Sequence, residues 1–254
     1  MNLVDRPVLL ALVTLVTLTA SAAFGAAMSR RRRQLQTAER EDFSLVLGAT
    51  LTLLGLIIGF TFSMALNRYD QRKGYEEGEA NAIGTELLRA DLLPADDAAR
   101  VRALLLDYTK QRIAYFTTTD LAQIDGINRR TSALQNDLWT AVRTSAAGKP
   151  NPLTALVVAG ANDVLNAQGY TQAAWWNRIP PAAWFLMAFM ALCATFLVGY
   201  GSKNSRPERG VLLVLPVVVS AAFLLIADIE SPRGGFIRIV PQNLLSIEAS
   251  MRTP

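Results

Sequence analysis

Few side chains in this chain could do chemistry. It has no histidine, which removes imidazole general bases, histidine-containing triads and nearly all zinc or non-haem iron sites. Its one cysteine, Cys193, sits in an apolar run and reads as a buried, inert thiol. No phosphate-binding glycine loop, no G-x-S-x-G elbow and no metal-ligand spacing occurs. The densest acidic cluster is Glu76, Glu77 and Glu79. With Arg72 and Lys73 close by, it reads as a solvated helix face carrying its own ion pairs. No enzymatic activity, no cofactor and no metal site is expected.

What remains is a pattern in an uncharged segment. Thr52, Leu56 and Phe60 recur every four residues and share one side of a helix. Gly55 and Gly59 form a small-xxx-small pair on the neighbouring side, suited to close helix packing. Just beyond, Asn67, Arg68, Tyr69, Asp70 and Arg72 bring polar groups to the end of the run, as interfacial anchors or as the mouth of a pathway. The face made by Thr52, Leu56 and Phe60 has two readings. It meets lipid or a neighbouring helix, or it is a hydrophobic constriction facing a pore.

The elements that must position this face are membrane helices. Hydrophobic residues make up 51% of the 254, charged ones only 18%, and mean hydropathy is +0.25. A soluble domain carries about 25% charged residues. Four runs lack charge, 7–29, 43–66, 179–202 and 210–227, the shortest with 18 residues. Crossing the hydrocarbon core takes roughly 20 apolar residues, with about 17 as the lower limit, and an open chain must cross as a helix. The first run is read as a retained helix, not a cleaved leader, because its positive charge follows it. Pro180 and Pro181 suit a helix start, and Pro216 falls inside the fourth run, where a kink is expected. Trp175, Trp176 and Trp184 lie around the start of the third run as interfacial residues.

Charge orients these spans. Loop 30–42 holds five arginines against three acids, and loop 203–209 holds three basic residues against Glu208. Each is +2, and together they account for the whole net charge of +4. The quartet Arg30, Arg31, Arg32, Arg33 directly after a span is a cytoplasmic stop signal. It carries no interleaved aromatics, so nucleic acid is not an expected partner. This count puts both short loops inside, and the termini and middle segment outside.

The middle segment, 67–178, reads as a helical extramembrane domain between the second and third spans, and 228–254 as a C-terminal tail. The second span should run on as helix until Pro94. Pro94 with Asp96 and Asp97 opens another helix, Thr119 or Asp120 caps the next, and Asn151 with Pro152 opens the last. Apolar stripes follow: Val101, Leu104, Leu105, Tyr108 and Tyr115; then Ile124, Ile127, Leu134, Leu138 and Ala141; then Leu153, Leu156, Val157, Val164 and Leu165. The predicted class is all-α: an integral membrane protein with four transmembrane helices and that helical domain.

The strings from Gly59 to Tyr69, from Asp70 to Arg72 and from Glu79 to Thr85 resemble the bestrophin-like family of bacterial membrane proteins, with the four-helix layout matching over nearly the whole chain. More distantly, the region is similar to the bestrophin anion channels. That similarity implies a pentameric pore whose three-residue neck falls on Thr52, Leu56 and Phe60, in a multi-pass protein of the bacterial inner membrane. The stretch 227–234 is similar to the Glu-Ile-Glu-Asp-Pro-Phe-Gly segment of bacterial bestrophins. Two departures stand out. Thr52 is polar where the neck is usually apolar, and 233–240 contains no acid, so the calcium clasp of animal bestrophins is missing. The resemblance also places the middle segment in the cytoplasm, opposite to the charge count.

Two functions follow. One is a homo-oligomeric ion channel in the lipid bilayer, passing inorganic anions such as chloride, with Asn67 and Arg68 at the pore mouth. Arg68 would raise the local anion concentration there. The other is a non-conducting scaffold or sensor whose helical domain binds a partner. A transporter would need a charged relay in the spans, and only Asp228 comes near.

Overall fold

The computed structural model describes residues 3–31, 37–202 and 208–252. Arg32, Arg33 and most of loop 203–209 lie outside these, so the charged loops that orient the chain are not described in full. Among the described residues all regular structure is helical: α1 (Pro7–Arg31), α2 (Thr37–Arg89), α3 (Ala95–Thr117), α4 (Leu121–Gly148), α5 (Pro152–Trp176), α6 (Pro181–Gly201), α7 (Glu208–Glu230) and α8 (Gln242–Arg252). Four stretches contain a window long and apolar enough to cross a membrane: Pro7–Ser29, Arg40–Leu92, Pro152–Gly201 and Gly210–Glu230. In the two longest, the uncharged parts are 43–66 and 179–202. The all-α membrane class read from the sequence is therefore the observed one.

Helix ends fall where local chemistry puts them. α2 stops at Arg89 and passes through a 3-10 turn, Ala90–Leu92, before Pro94. Asp120 caps α4 by accepting from Ala122 N at 2.9 Å. Asn151 caps α5 by accepting from Leu153 N and Thr154 N, while Thr154 Oγ1 accepts from the Asn151 N–H. This capping box, with Pro152 at the first helical position, satisfies donors that a helix start leaves open. α7 continues through Pro216 as one helix.

The chain forms two compact units, Met1–Asn67 with Arg178–Arg238, and Arg68–Asn177 with Ile239–Pro254. In the first, α1 packs along α6 and α7. The tightest approach joins α1 and α6. A Cβ added to Gly25 would collide with Phe196 O, and one added to Gly199 would collide with Ala22 O. Ala191, Thr195 and Gly199 form the buried stripe of small residues on α6 that permits this. Ser21 Oγ donates to Leu192 O at 3.0 Å, tying the same two helices by a polar bond. Both devices suit a bilayer, where packing and interhelical hydrogen bonds replace the hydrophobic drive. Cys193, on the flank of that stripe, is half-buried, a correction to the enclosed thiol expected from its apolar run.

In the second unit, α3, α4 and α5 stack their apolar stripes. Val101, Leu105, Tyr108, Leu134, Leu138, Val157 and Val164 are buried, whereas Leu153 and Leu156 are exposed. Trp175 belongs to this core. Its ring lies 5.1 Å from Tyr115 and 5.5 Å from Phe116. The expectation that it is an interfacial anchor is thus corrected; its neighbour Trp176 is exposed.

The solvated acidic face is also corrected. Glu77 is exposed, but Glu76 and Glu79 are buried. Glu76 accepts from Leu244 N at 2.9 Å and from Asn243 Nδ2 at 2.7 Å. Pro241, just before α8, offers no acceptor side chain, so a carboxylate from α2 supplies the missing cap. Arg72 is buried and reaches across to α5. Its Nε donates to Ala174 O and its Nη2 to Asn177 O, both at 3.2 Å, at the C-terminal end of α5, where a cation is favoured. Glu76→Ala should loosen α8. Amide exchange over 242–252 is expected to rise about tenfold, within the ~0.5–2 kcal/mol range for losing a cap. Exchange at the wild-type rate would show that α8 is held by its apolar side alone.

Candidate functional site: the outward face of α2

Within the first unit, α2 buries one stripe, at Leu54, Thr61 and Ala65. At about 100° per residue, Thr52, Leu56 and Phe60 lie on the opposite side of the helix from Leu54. They are exposed in the single chain, Leu56 at 51% and Phe60 at 63%. The three positions are thus brought onto one free face, which an isolated chain leaves without a partner.

The polar groups of this segment are satisfied inside the helix. Thr52 Oγ1 donates to Gly48 O at 2.9 Å, Thr50 Oγ1 to Val46 O at 2.8 Å and Thr61 Oγ1 to Ile57 O at 2.8 Å. With its hydroxyl bonded back to the preceding turn, Thr52 departs less from an apolar position than its residue type suggests.

Gly55 and Gly59 behave differently from Gly25 and Gly199. A Cβ at either would meet no atom within 4 Å. Among the described residues they make no close helix contact, and the close approach is carried by Gly25 and Gly199, which the sequence pattern did not single out. Asn67, the last residue of the first unit, is exposed. Arg68, the first of the second, is half-buried, and its Nε and Nη1 are enclosed without a hydrogen-bond partner.

The end of the fourth span is closed by its own backbone. Asp228 accepts from Phe236 N at 2.7 Å and Ile237 N at 2.8 Å, one amide to each carboxylate oxygen. Gly235 is needed there, since a Cβ would press on Asp228. Glu230 accepts from Ile179 N at 2.7 Å. Asp228, the one candidate relay, is therefore committed to holding a turn.

The sequence reading also missed a polar knot in the second unit. Arg112 on α3 is bound through Nε to Glu79 Oε1, and its Nη2 donates to Oε2 at 3.3 Å. Thr171 Oγ1 on α5 donates to Oε2 at 2.9 Å, and Tyr108 OH to Oε1 at 3.5 Å. Arg112 also sits 4.6 Å over the Tyr115 ring, a cation–π contact. Burial works against the Arg112 charge, but Glu79 opposes that and the net direction is upward. Burial, then Glu79, pushes the Tyr108 hydroxyl up as well, which keeps it a donor. The knot joins three helices, with Arg112 Nη1 left enclosed and without a hydrogen-bond partner, and its role is architectural.

Comparison with known proteins gives the family and the fold. The model of the Bestrophin-like domain matches residues 9–244. The chain belongs to the bestrophin-like family. Its fold is that of a bacterial bestrophin homolog from Klebsiella pneumoniae, at 15% identity over 95% of this chain and 98% of that one, with a TM-score of 0.66. Two single-substitution variants of that homolog give TM-scores of 0.69 and 0.67, again at 15% identity, over 95% and 96% of this chain and 95% and 97% of theirs. No curated protein matches the chain. The protein is thus a membrane protein of bestrophin-like fold.

Proposed function

We propose that the protein is one subunit of a homo-oligomeric ion channel, passing inorganic anions through a bacterial inner membrane. A pore lined by one helix per chain requires several copies about a common axis. The observation that carries the proposal is the free face of α2, with the Thr52, Leu56, Phe60 stripe turned away from the stripe that packs onto its own chain. In a ring of five, these side chains would form a dewetting constriction. Gly55 and Gly59, open in the single chain, would admit the neighbouring copy closely. Asn67 and Arg68 would stand at the mouth, and the Arg68 nitrogens that lack partners would draw anions towards it.

The positive-inside count places loops 30–42 and 203–209 in the cytoplasm, and the helical unit and termini outside. A reporter fused after Arg33 tests that orientation.

Flux through liposomes tests the function. Phe60→Ala is expected to raise anion flux on the order of tenfold, equivalent to about 1.4 kcal/mol off the barrier. Wild-type flux that Phe60→Ala leaves unchanged would remove Phe60 from the constriction. A monomer by native mass measurement in detergent would end the channel reading and leave the non-conducting scaffold.

A further inference from the structure

In the second unit, the end of α2 faces α5 across Gly160. Glu86 is 0% exposed, and neither carboxylate oxygen has a hydrogen-bond partner. A buried polar group without a partner is rare enough to need a cause. Arg89, one turn on, has an equally enclosed Nη1 with no hydrogen bond. That nitrogen lies 3.7 Å from Asp163 Oδ2 on α5, an ion pair longer than a hydrogen bond. A Cβ at Gly160 would collide with Glu86 Oε2 and lie 2.7 Å from Arg89 Nη1. Gly160 therefore makes the space in which both side chains sit side by side.

We propose that Glu86, Arg89 and Asp163 form a proton-controlled exchange: with Glu86 neutral, Arg89 stays with Asp163, and when Glu86 ionises, Arg89 moves to it and releases Asp163. The balance is simple. One guanidinium faces two carboxyl groups, and one of these is buried. Placing a second negative charge there without a partner costs more than moving a long, flexible cation by a small distance. Asp163 also lines a groove of about 340 Å³ with Tyr75, Glu79, Asn166 and Tyr170, and the two tyrosine rings stack 6.1 Å apart. The proton on Glu86 thus sets whether the charge that Asp163 presents to that groove is paired.

The carboxyl itself supports this. Burial pushes Glu86 up, Arg89 pulls it down and Asp163 pushes it up, and the net effect raises it to about 8. Those are the charged groups acting on it from α2 and α5. Asp91 in the following turn is bound by Arg102, and Glu248 on α8 by Arg252. Because the folded value lies above the ordinary 4.5, the folded chain keeps a proton that the unfolded chain loses. The stability this contributes is complete below pH 4.5 and is lost progressively as pH rises from there to about 8.

The test uses the full chain in detergent. Infrared difference spectra between pH 6.5 and pH 9 should show a protonated carboxyl band that disappears with a midpoint near 8, and Glu86→Gln should abolish it. The thermal midpoint of the wild type should fall as pH rises towards about 8 and level off above it, and Glu86→Gln should lack that step. Asp163→Asn, at a largely exposed position, should move the carboxyl midpoint down, because it frees Arg89 for Glu86. Arg89→Gln should move it up. A band that persists in Glu86→Gln, or a midpoint that neither Asp163→Asn nor Arg89→Gln moves, would overturn the exchange. Should Glu86→Gln not fold, the Asp163→Asn shift alone decides.

Discussion

Replacing Arg112 with alanine should cost the helical unit about 3–5 kcal/mol, the loss expected when one partner of a buried ion pair is removed. Both side chains are 0% exposed, so water cannot take over the role of the guanidinium. Glu79 would keep Thr171 and Tyr108 as donors but would hold an uncompensated charge inside the core. A drop in the denaturation midpoint of the detergent-solubilised protein, with lower yield, is the measurable result. The converse experiment separates the pair from its environment. Glu79→Leu combined with Arg112→Met should recover most of the loss, because an apolar replacement of similar volume removes both desolvation costs together. Wild-type stability in Arg112→Ala would mean that the charge is not buried as described. A double variant no better than Arg112→Ala would mean that the knot specifies the arrangement of α2, α3 and α5 beyond filling it.

This knot also marks where sequence reading stops. The starts of α4, α5 and α6 are legible because the residues that set them are local: Asp120, Asn151 with Pro152, and Pro180 with Pro181 act within a few residues of themselves. Glu79 is not legible. Its partners stand 29, 33 and 92 residues away, while Lys73 and Arg72 nearby imitate the spacing of a surface ion pair. Trp175 and Trp176 differ in fate by about 100° of helix rotation, which no composition rule for interfacial tryptophan resolves. The stripe at Thr52, Leu56 and Phe60 is legible as one face, since its period is a property of one helix. What that face meets is a property of several chains, and periodicity within one chain does not encode it. The small-residue contact is present in the sequence too, but in two places. The pair Gly55 and Gly59 and the series Ala191, Thr195, Gly199 obey the same spacing rule. Among the described residues, the second meets another helix of its own chain and the first does not.

That second series gives the other large expected effect. Gly199→Leu should abolish the assembly of the membrane unit, leaving little protein that extracts from membranes as a folded species. The clash is with backbone: a Cβ at Gly199 meets Ala22 O, C and Cα together, and no side-chain rotation can relieve it. α1 and α6 would have to separate, breaking the Ser21 to Leu192 bond and opening the stripe at Ala191 and Thr195. Overpacking costs about 1–3 kcal/mol where side chains can adjust, and occasionally more; two rigid helices leave it at the upper end. Gly25→Leu should do the same from the other helix, through Phe196 O and Tyr200 N. Gly55→Ala and Gly59→Ala should leave the single chain's fold untouched, because none of its described residues lies within reach. Their cost, if the ring forms as proposed, falls only between copies. Extraction yield and thermal midpoint report the first pair, and native mass reports the second. Loss of the assembled species in Gly59→Ala with an unchanged monomer fold would tie α2 to its neighbour. Full assembly in both alanine variants would leave the glycine pair facing lipid.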